Sequence, residues 1–348
     1  MRSPRSAPRS RFTRGLLAAT SAAVLSFGLA ACGGESAASG PGEAGSGGSA
    51  APDAITVGAL SNGAAKQAEL KVSTVEAIRA RLPEAVRSRG ELVIGVGALP
   101  AGSPPISYVG TDQKTLTGSE PDLGRLVAAT LGLKPVVRNS TWENLFVGID
   151  SGKVDVAFTN VTVTEERKKK YEFASYRKDN LAFEVNKEDS WNFAGDYRSL
   201  AGKTVAVSRG TNQEKILLEW QTKLKAEGKD FTVKYFPDVN STYLALSGKK
   251  IDASFGPNPA VAYHVTQTAQ SSSPTREAGQ FSGAGESLQG LIAATAKKDS
   301  GLAEPIAEAI NHLIKEGQYG QLLAAWNLSP EAVTVSEVNP PGLPLSNS

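Results

Sequence analysis

A short pattern that ends a helix on glycine and opens an apolar strand occurs twice in the chain. It reads Ser151-Gly152-Lys153-Val154-Asp155 the first time and Ser247-Gly248-Lys249-Lys250-Ile251-Asp252 the second. Glycine permits the backbone conformation that stops a helix. Around both copies short apolar strands alternate with helices, which indicates an α/β architecture with covered sheets. The repeat therefore predicts two similar lobes that offer strand ends and helix N-termini to a shared cleft.

The same alternation predicts the individual elements. In the first half we expect helices over 75–89, 121–131 and 141–151, and strands over 92–96, 136–137 and 154–158. A helix beginning with Glu165 and capped by Thr164 follows. In the second half we expect strands over 181–185, 204–207, 233–235 and 251–255, helices over 241–247 and 259–267, and a helix that follows Gly210-Thr211-Asn212-Gln213 and ends near Ala226.

The start of the chain predicts its compartment. An arginine-rich stretch precedes an apolar segment from Leu16 to Ala31, which is typical of a secretory signal peptide and is short for a membrane span. The segment ends Leu29-Ala30-Ala31-Cys32, which resembles the lipobox of bacterial lipoproteins. We therefore expect residues 1–31 to be removed and Cys32 to be acylated, anchoring the protein to the outer face of the bacterial cell membrane.

Composition and charge narrow the function. Residues 32–52 are rich in Gly, Ser and Ala and predict a flexible tether. The formal net charge of the chain is +2, and removing the five arginines of residues 1–31 makes it −3 (+2 − 5), which argues against a nucleic-acid partner. One cysteine allows no internal disulfide. Metal-ligand spacing, a phosphate loop and a nucleophile elbow are missing from the sequence, so we expect no metal, no cofactor and no enzymatic activity.

One arginine stands where a strand passes into the next helix. Arg167 falls in the first turn of the helix expected after Thr164, where the helix dipole disfavours a cation. This placement indicates a bound anion. Hydroxyls of Thr159 and Thr162, free first-turn N–H groups and the guanidinium fork describe a receptor for a carboxylate. The alternative is a weak, exposed ion pair with a neighbouring acid: Glu165, Glu166 or Glu172.

From about Leu82 to Leu328 the sequence resembles the extracytoplasmic solute-binding proteins of ABC importers, in the group that binds amino acids and related polar solutes. The resemblance rests on an ordered set of weak motifs: Gly118-Ser119-Glu120-Pro121-Asp122-Leu123, Trp142-Glu143-Asn144-Leu145, Ser151-Gly152-Lys153-Val154-Asp155, Thr164-Glu165-Glu166-Arg167, Leu200-Ala201-Gly202-Lys203-Thr204-Val205-Ala206-Val207 and Gly317-Gln318-Tyr319. It implies a type II periplasmic-binding-protein-like fold, in which two Rossmann-like lobes are joined by two hinge strands.

The resemblance also implies how the chain is divided. The first lobe would comprise residues 53–185 together with 289–348, and the second lobe residues 186–288. The two crossings between the lobes would lie near 183–186 and 288–291. Solute bound between the lobes would favour a closed form that docks on an ABC permease with its ATPase subunits. We expect a monomer.

For the carboxylate of the ligand, the resemblance implies a site built from both lobes. Arg167 would hold the α-carboxylate, helped by backbone N–H groups at Thr211 and Asn212. The residues agree with this, because Gly210-Thr211-Asn212-Gln213 lies between a strand and a helix, where unpaired N–H groups face an anion.

Further contacts follow from the resemblance. Thr159, Asn160 and Thr162 would add polar contacts from the first lobe. Trp142 matches an aromatic position that stacks on the ligand, although a tryptophan in an amphipathic helix can also belong to the core. Glu120 matches an acidic position near a cationic group of some ligands, and it can equally be an acid that stabilises a helix N-terminus.

The sequence departs from the family at the amine of the ligand. Where an aspartate usually binds the α-ammonium, the chain reads Phe255-Gly256-Pro257-Asn258-Pro259, with Pro257 in the place of the aspartate. Either Asn258, Glu120 or another acid replaces it, or the ligand has no free α-amine there. A second departure is Ser103, which stands where a stacking aromatic is common.

Two other functions remain open at this point. One is an exported small-acid dehydratase or lyase on the same fold, since a fold does not determine a function. The histidines, His264 and His312, lie far apart and on predicted helices, so they offer little for such chemistry. The other is a ligand-sensing subunit that reports to a membrane receptor.

Overall fold

The computed structural model describes residues 53–346. The predicted signal peptide, Cys32 and the tether up to residue 52 lie outside these residues. Within residues 53–346, none of the helices has both the length and the apolar character needed to cross a membrane.

Strands and helices alternate through most of the described chain. The strands are β1 (Asp53–Val57), β2 (Ala68–Val72), β3 (Glu91–Val96), β4 (Tyr108–Val109), β5 (Leu116–Thr117), β6 (Lys134–Asn139), β7 (Val156–Ala157), β8 (Tyr171–Asn186), β9 (Thr204–Ala206), β10 (Thr232–Lys234), β11 (Ala253–Pro257), β12 (Thr275–Ser282) and β13 (Gly290–Lys297). The α-helices are α1 (Glu76–Arg79), α2 (Glu84–Arg89), α3 (Ser119–Thr130), α4 (Trp142–Asp150), α5 (Asn212–Ala226), α6 (Val239–Ser247), α7 (Asn258–Thr268), α8 (Ala303–Glu316) and α9 (Gln318–Ala325).

One long strand organises the main sheet. The nine-stranded sheet has the order β10-β9-β11-β8-β13-β7-β3-β6, and β12 also pairs with β8. Residues 171–179 of β8 pair with β13, whereas residues 180–186 pair with β11 and β12. The chain therefore crosses between the two halves of the sheet at 179–181, a few residues before the expected crossing at 183–186.

Each half of the sheet has its own hydrophobic core. The first contains Leu92, Ile94, Leu126, Val127 and Ile310, and the second contains Phe183, Val205, Leu217, Trp220 and Phe255. We call the elements around these cores the first lobe and the second lobe. Burying each of these large side chains contributes roughly 1.5–3 kcal/mol. Two separate cores allow the lobes to hold their shape while the segments between them bend.

The repeated helix-stop pattern is realised in two different ways. Gly152 has a φ of +73°, as expected for a residue that ends a helix in the left-handed region. In the second copy Gly248 caps α6 with a φ of −80°, and the following residue, Lys249, takes the left-handed conformation with a φ of +53°. The shared sequence pattern thus ends both helices, but in the second copy the residue with the left-handed conformation is the one after the glycine.

Two expected helices are shorter than predicted. The segment 75–89 forms α1 and α2, because Pro83 lies at the N-cap of α2 and interrupts the helix. The helix expected after Thr164 is a single 3-10 turn over Arg167–Lys169, since the chain already enters β8 at Tyr171. Arg167 therefore does not lie at the N-terminus of an α-helix.

The last described residues run from one lobe to the other. We call residues 337–345 the C-terminal segment. It exchanges backbone hydrogen bonds with Ser175 and Phe173 of β8 and with Val163 in the first lobe. Leu343 is then buried in the second hydrophobic core, and the ammonium of Lys215 on α5 donates to the carbonyl of Leu345 at 3.0 Å. The C-terminal segment thus connects the lobes beside the two crossings.

Candidate functional site

A cavity of about 580 Å³ lies between the two lobes. This volume is in the range of small-molecule sites. The carboxyl ends of parallel strands from both lobes open onto it, which is where open α/β sheets bind ligands. Residues that follow these strands line its wall: Gly97, Thr159 and Asn160 in the first lobe, and Val207, Ser208, Gly256 and Pro257 in or after strands of the second.

The predicted site residues divide into two groups. Five of them line the cavity: Trp142, Thr159, Asn160, Thr211 and Asn212. The other four are not among its lining residues: Arg167, Thr162, Glu120 and Asn258. Five of the nine predicted residues thus lie at the cavity, and the contacts of the remaining four decide what each of them can do.

Arg167 lies beside the cavity rather than in its wall. Its Nη1 donates to the carbonyl of Thr162 at 2.9 Å and its Nη2 to the carbonyl of Gly210, in the second lobe, at 3.3 Å. The guanidinium also lies over the rings of Trp142 and Phe146, at 5.3 and 5.6 Å from their centroids. Burial lowers the pKa of Arg167 to about 10, so it remains a cation at neutral pH.

The exposed ion pair considered as an alternative for Arg167 is wrong. Glu165 pairs with Lys168 and Glu166 with Lys169. The carboxylate of Glu172 instead accepts a hydrogen bond from Ser300. Within residues 53–346 the guanidinium of Arg167 makes no ion pair, and its hydrogen-bond acceptors are neutral carbonyl oxygens. An anion placed beside Arg167 would therefore be paired with a full positive charge that is partly shielded from water.

Trp142 lies at the cavity wall and also packs against a small core. It lines the cavity, and its indole N–H donates to the carbonyl of Gly210 at 3.2 Å. It also packs edge-to-face on Phe146, with ring centroids 5.1 Å apart, against a small core that includes Leu145 and Ile149. The same carbonyl of Gly210 thus receives hydrogen bonds from two first-lobe side chains.

Hydrogen bonds hold Thr159 and Asn160 in place at the cavity wall. The hydroxyl of Thr159 accepts a hydrogen bond from the backbone N–H of Gly97 at 2.8 Å. Asn160 has a φ of +55°, a conformation that asparagine tolerates better than most residues. Its backbone N–H donates to Glu120 and its side-chain oxygen accepts from Arg177.

Glu120 is buried inside the first lobe and does not contact the cavity. Arg177 bridges two buried carboxylates, with its Nη2 3.2 Å from Glu120 and its Nη1 bonded to Glu331. Burial raises the pKa of Glu120, and the charge of Arg177 opposes that change. The expectation that Glu120 lies near a cationic group of the ligand is therefore wrong in this structure, because Arg177 already occupies its carboxylate.

Asn258 is also engaged elsewhere. Its side-chain amide donates to Glu331 at 3.1 Å, and its side-chain oxygen accepts from Gln280 at 3.3 Å. The proline before it, Pro257, lines the cavity instead. Asn258 thus does not provide the replacement for the missing aspartate that the sequence allowed.

Asp179 connects two of the predicted residues and was missed by the sequence analysis. One of its oxygens accepts from the hydroxyl of Thr162 at 2.6 Å and from the side-chain amide of Asn212 at 3.3 Å. Gly283 packs against it so closely that an added Cβ would lie 1.7 Å from the same oxygen. The signal in the sequence was the presence of charged residues within the otherwise apolar β8, because a buried carboxylate needs hydrogen-bonding or charged partners.

The buried carboxyl of Asp179 predicts a pH-dependent stability. Burial raises its pKa to about 6, against an ordinary value of 3.8. Between these values the folded protein holds a proton that the unfolded chain releases, so this stabilising contribution is present at low pH and is lost as the pH rises to about 6. From pH 4 to pH 7 we expect the free energy of unfolding of the wild type, relative to Asp179→Asn, to fall on the order of 2–3 kcal/mol. Urea unfolding at both pH values measures this difference, and a constant difference would contradict the assignment.

Comparisons with known proteins agree with this architecture. The sequence model of the bacterial extracellular solute-binding proteins, family 3, matches residues 94–329. The L-cystine-binding protein TcyJ of Escherichia coli (strain K12) is 31% identical over 244 residues, which cover 69% of this chain and 84% of that protein. The arginine-binding protein ArgT of Corynebacterium glutamicum is 25% identical over 268 residues, covering 76% and 83%.

Solved structures support the same fold. An ancestral arginine-binding protein bound to arginine matches with a TM-score of 0.59 and 26% identity, over 68% of this chain and 98% of that one. The ArgBP of T. maritima, as its P235GK mutant, matches with a TM-score of 0.59. The expected α/β fold, two-lobed and of the type II periplasmic-binding-protein class, is confirmed. The relatives are named as binding proteins, so the enzymatic alternative is not favoured.

Proposed function

Because the chain belongs to the bacterial extracellular solute-binding proteins of family 3, we propose that it binds an amino acid or a related small carboxylate solute and delivers it to the permease of an ABC importer. The observation that carries this proposal is the cavity of about 580 Å³ that both lobes line. A solute held there contacts both lobes at once, so it stabilises the closed form over an open one. The names of two relatives, which bind L-cystine and arginine, support an amino acid as the solute.

For the carboxylate of the solute we propose Arg167 together with the start of α5. The first-turn N–H groups of α5, after the N-cap Thr211, have no acceptor within the helix. Arg167 reaches the same place from the first lobe, since its Nη2 contacts the carbonyl of Gly210. A carboxylate bound between Arg167 and α5 would give the guanidinium an anionic acceptor in place of the neutral carbonyl of Gly210.

For the location of the protein we propose a lipoprotein at the outer face of the bacterial cell membrane. A signal peptide over 1–31, acylation of Cys32 and a tether over 32–52 would leave the lobes free to meet the permease. We further propose lobes close to 53–185 with 289–348 and to 186–288, except that residues 181–185 pack in the second core, so that the first crossing lies at 179–181, where β8 changes partners. Family membership supports the extracytoplasmic side.

The experiment that tests the proposed function is a thermal-shift screen of the purified protein. The probes are the standard L-amino acids, L-cystine, and deaminated and betaine analogues. A solute at 100 times its dissociation constant adds about 2.7 kcal/mol to the free energy of unfolding and raises the melting temperature. We expect at least one α-carboxylate solute to give such a shift, and calorimetry would supply its affinity. A screen in which no carboxylate solute shifts the melting temperature would contradict the proposal.

A further inference from the structure

A buried carboxylate with one unpartnered oxygen lies in the wall of the cavity. Glu184, on β8 in the second lobe, is fully buried and is among the residues that line the cavity. Its Oε1 contacts Nδ1 of His264 on α7, whereas its Oε2 has no hydrogen-bond partner. Leaving a buried polar atom without a partner is destabilising, and more so for a charged group. This arrangement calls for a donor from within the cavity.

The residues in register with Glu184 in the sheet carry no positive charge. In the sheet, Ser254 of β11 and Glu277 of β12 are its partners in register, and Glu277 carries the same charge. The imidazole of His264 is stacked on the ring of Tyr243, with centroids 3.4 Å apart and planes at 6°. Tyr243 itself lines the cavity. An acidic group beside an aromatic face is a typical environment for a cation.

The charge of the cavity wall points the same way. Among its lining residues are three acids, Glu143, Glu184 and Asp238, and one arginine, Arg209, whose guanidinium lies 3.9 Å from the centroid of the Tyr235 ring. A second lining residue of the second lobe, Gln213, also has a buried side-chain oxygen without a donor. Glu143 belongs to the first lobe, and both carboxylate oxygens of Asp238 already accept hydrogen bonds from Ser241. The second-lobe wall therefore offers the unpartnered oxygens of Glu184 and Gln213 as acceptors.

The two replacements that the sequence suggested are already engaged. Arg177 occupies the carboxylate of Glu120, and Asn258 hydrogen-bonds Glu331 and Gln280. We therefore propose that Glu184 binds an ammonium group of the solute through Oε2, and that His264 positions this carboxylate through Oε1. This assignment rests on the proposed function and deepens it: the solute carries a free, protonated amine, and its carboxylate and ammonium are bound by opposite lobes.

The experiment compares Glu184→Gln with a control from the same sheet. Glutamine keeps the shape of Glu184 and a hydrogen-bonding group for His264, but it removes the negative charge. Glu277→Gln removes a charge from the position opposite in register, outside the cavity lining. Calorimetry on the full protein measures the affinities for L-arginine, L-cystine and any other amino acid that stabilises the wild type, and for the N-acetyl analogue of each.

We expect Glu184→Gln to weaken binding of the amine-bearing solute about 10- to 100-fold, as for the loss of a hydrogen bond to a charged group. It should also abolish the preference for the free amine over the N-acetyl analogue. Glu277→Gln should stay within about threefold of the wild type. Without ligand, Glu184→Gln should keep or raise the melting temperature, because it removes an uncompensated buried charge.

Five outcomes would overturn the assignment. Glu184→Gln could bind the solute as tightly as the wild type, or Glu277→Gln could weaken binding equally, which would indicate a general charge effect. A lower melting temperature of ligand-free Glu184→Gln with an unchanged preference for the free amine would make Glu184 a structural partner of His264. A wild type that binds only amine-free solutes overturns the assignment and leaves the proposed function standing, whereas a wild type that binds no solute overturns both.

Discussion

Replacing Arg177 by methionine should lower the free energy of unfolding by about 3–5 kcal/mol. Arg177 is 2% exposed and bridges Glu120 and Glu331, which are 1% and 3% exposed. Although burial opposes its charge, these carboxylates raise the pKa of Arg177. Without the guanidinium, the two buried carboxyls lose their shared cation and keep only hydrogen bonds from Asn160 and Asn258, so both must remain neutral or become hydrated. Urea unfolding at pH 7, followed by circular dichroism, measures the loss.

Two control variants separate this effect from ordinary loss of a surface charge. Arg198 pairs with Glu227 at 3.1 Å but is 54% exposed, so Arg198→Met should leave the free energy of unfolding nearly unchanged. Combining Arg177→Met with Glu120→Gln and Glu331→Gln should recover most of the loss, since no uncompensated charge then remains. A loss below 1 kcal/mol for Arg177→Met alone would show that the carboxyls readjust without their partner.

Arg167→Ala should weaken binding of a carboxylate solute by about 2–5 kcal/mol, which is roughly 30-fold or more. The guanidinium of Arg167 is a cation without an ion pair in the described chain, and its contacts reach both Thr162 and Gly210. A carboxylate placed beside it would lose its main charge partner in the variant. Calorimetry with the best solute from the screen measures the change, and the melting temperature without ligand should fall only slightly.

Arg209→Ala is the decisive comparison for this prediction. Arg209 belongs to the second lobe and lines the cavity. It is exposed, and its guanidinium lies over the ring of Tyr235. We expect its removal to change the affinity by less than about tenfold. If Arg209→Ala abolishes binding while Arg167→Ala leaves it intact, the carboxylate binds at the outer wall of the cavity and the assignment to Arg167 is wrong.

The fold could be predicted from the sequence because the patterns that specify its helices and strands are local. Helix stops such as Gly152, N-caps such as Thr141 and Thr211, and apolar runs such as 92–96 each act within a few residues. The sixteen-residue β8 was not recognised as one strand, because Arg177 and Asp179 interrupt its apolar pattern. Those charges are tolerated only through partners that fold next to them from elsewhere in the chain.

The candidate site could be predicted only in part, because local sequence patterns do not show contacts between residues that are distant in sequence. Thr159, Asn160, Thr211 and Asn212 follow strands or begin helices, and such positions can be read from local pattern. The partners that remove Glu120 and Asn258 from the cavity, Arg177 and Glu331, are distant in sequence, and Glu331 lies 154 residues from Arg177. A pattern along the chain carries no information on which distant charges meet.

The C-terminal segment changes how the lobes can separate. The crossing at 179–181 and the segment that joins β12 to β13, residues 283–289, would by themselves act as a hinge with one easy axis of rotation. The C-terminal segment adds a third connection between the lobes, through Leu343 in the second core and the contact of Lys215 with Leu345. A rotation of the lobes about the crossings would therefore also have to accommodate this peripheral anchor.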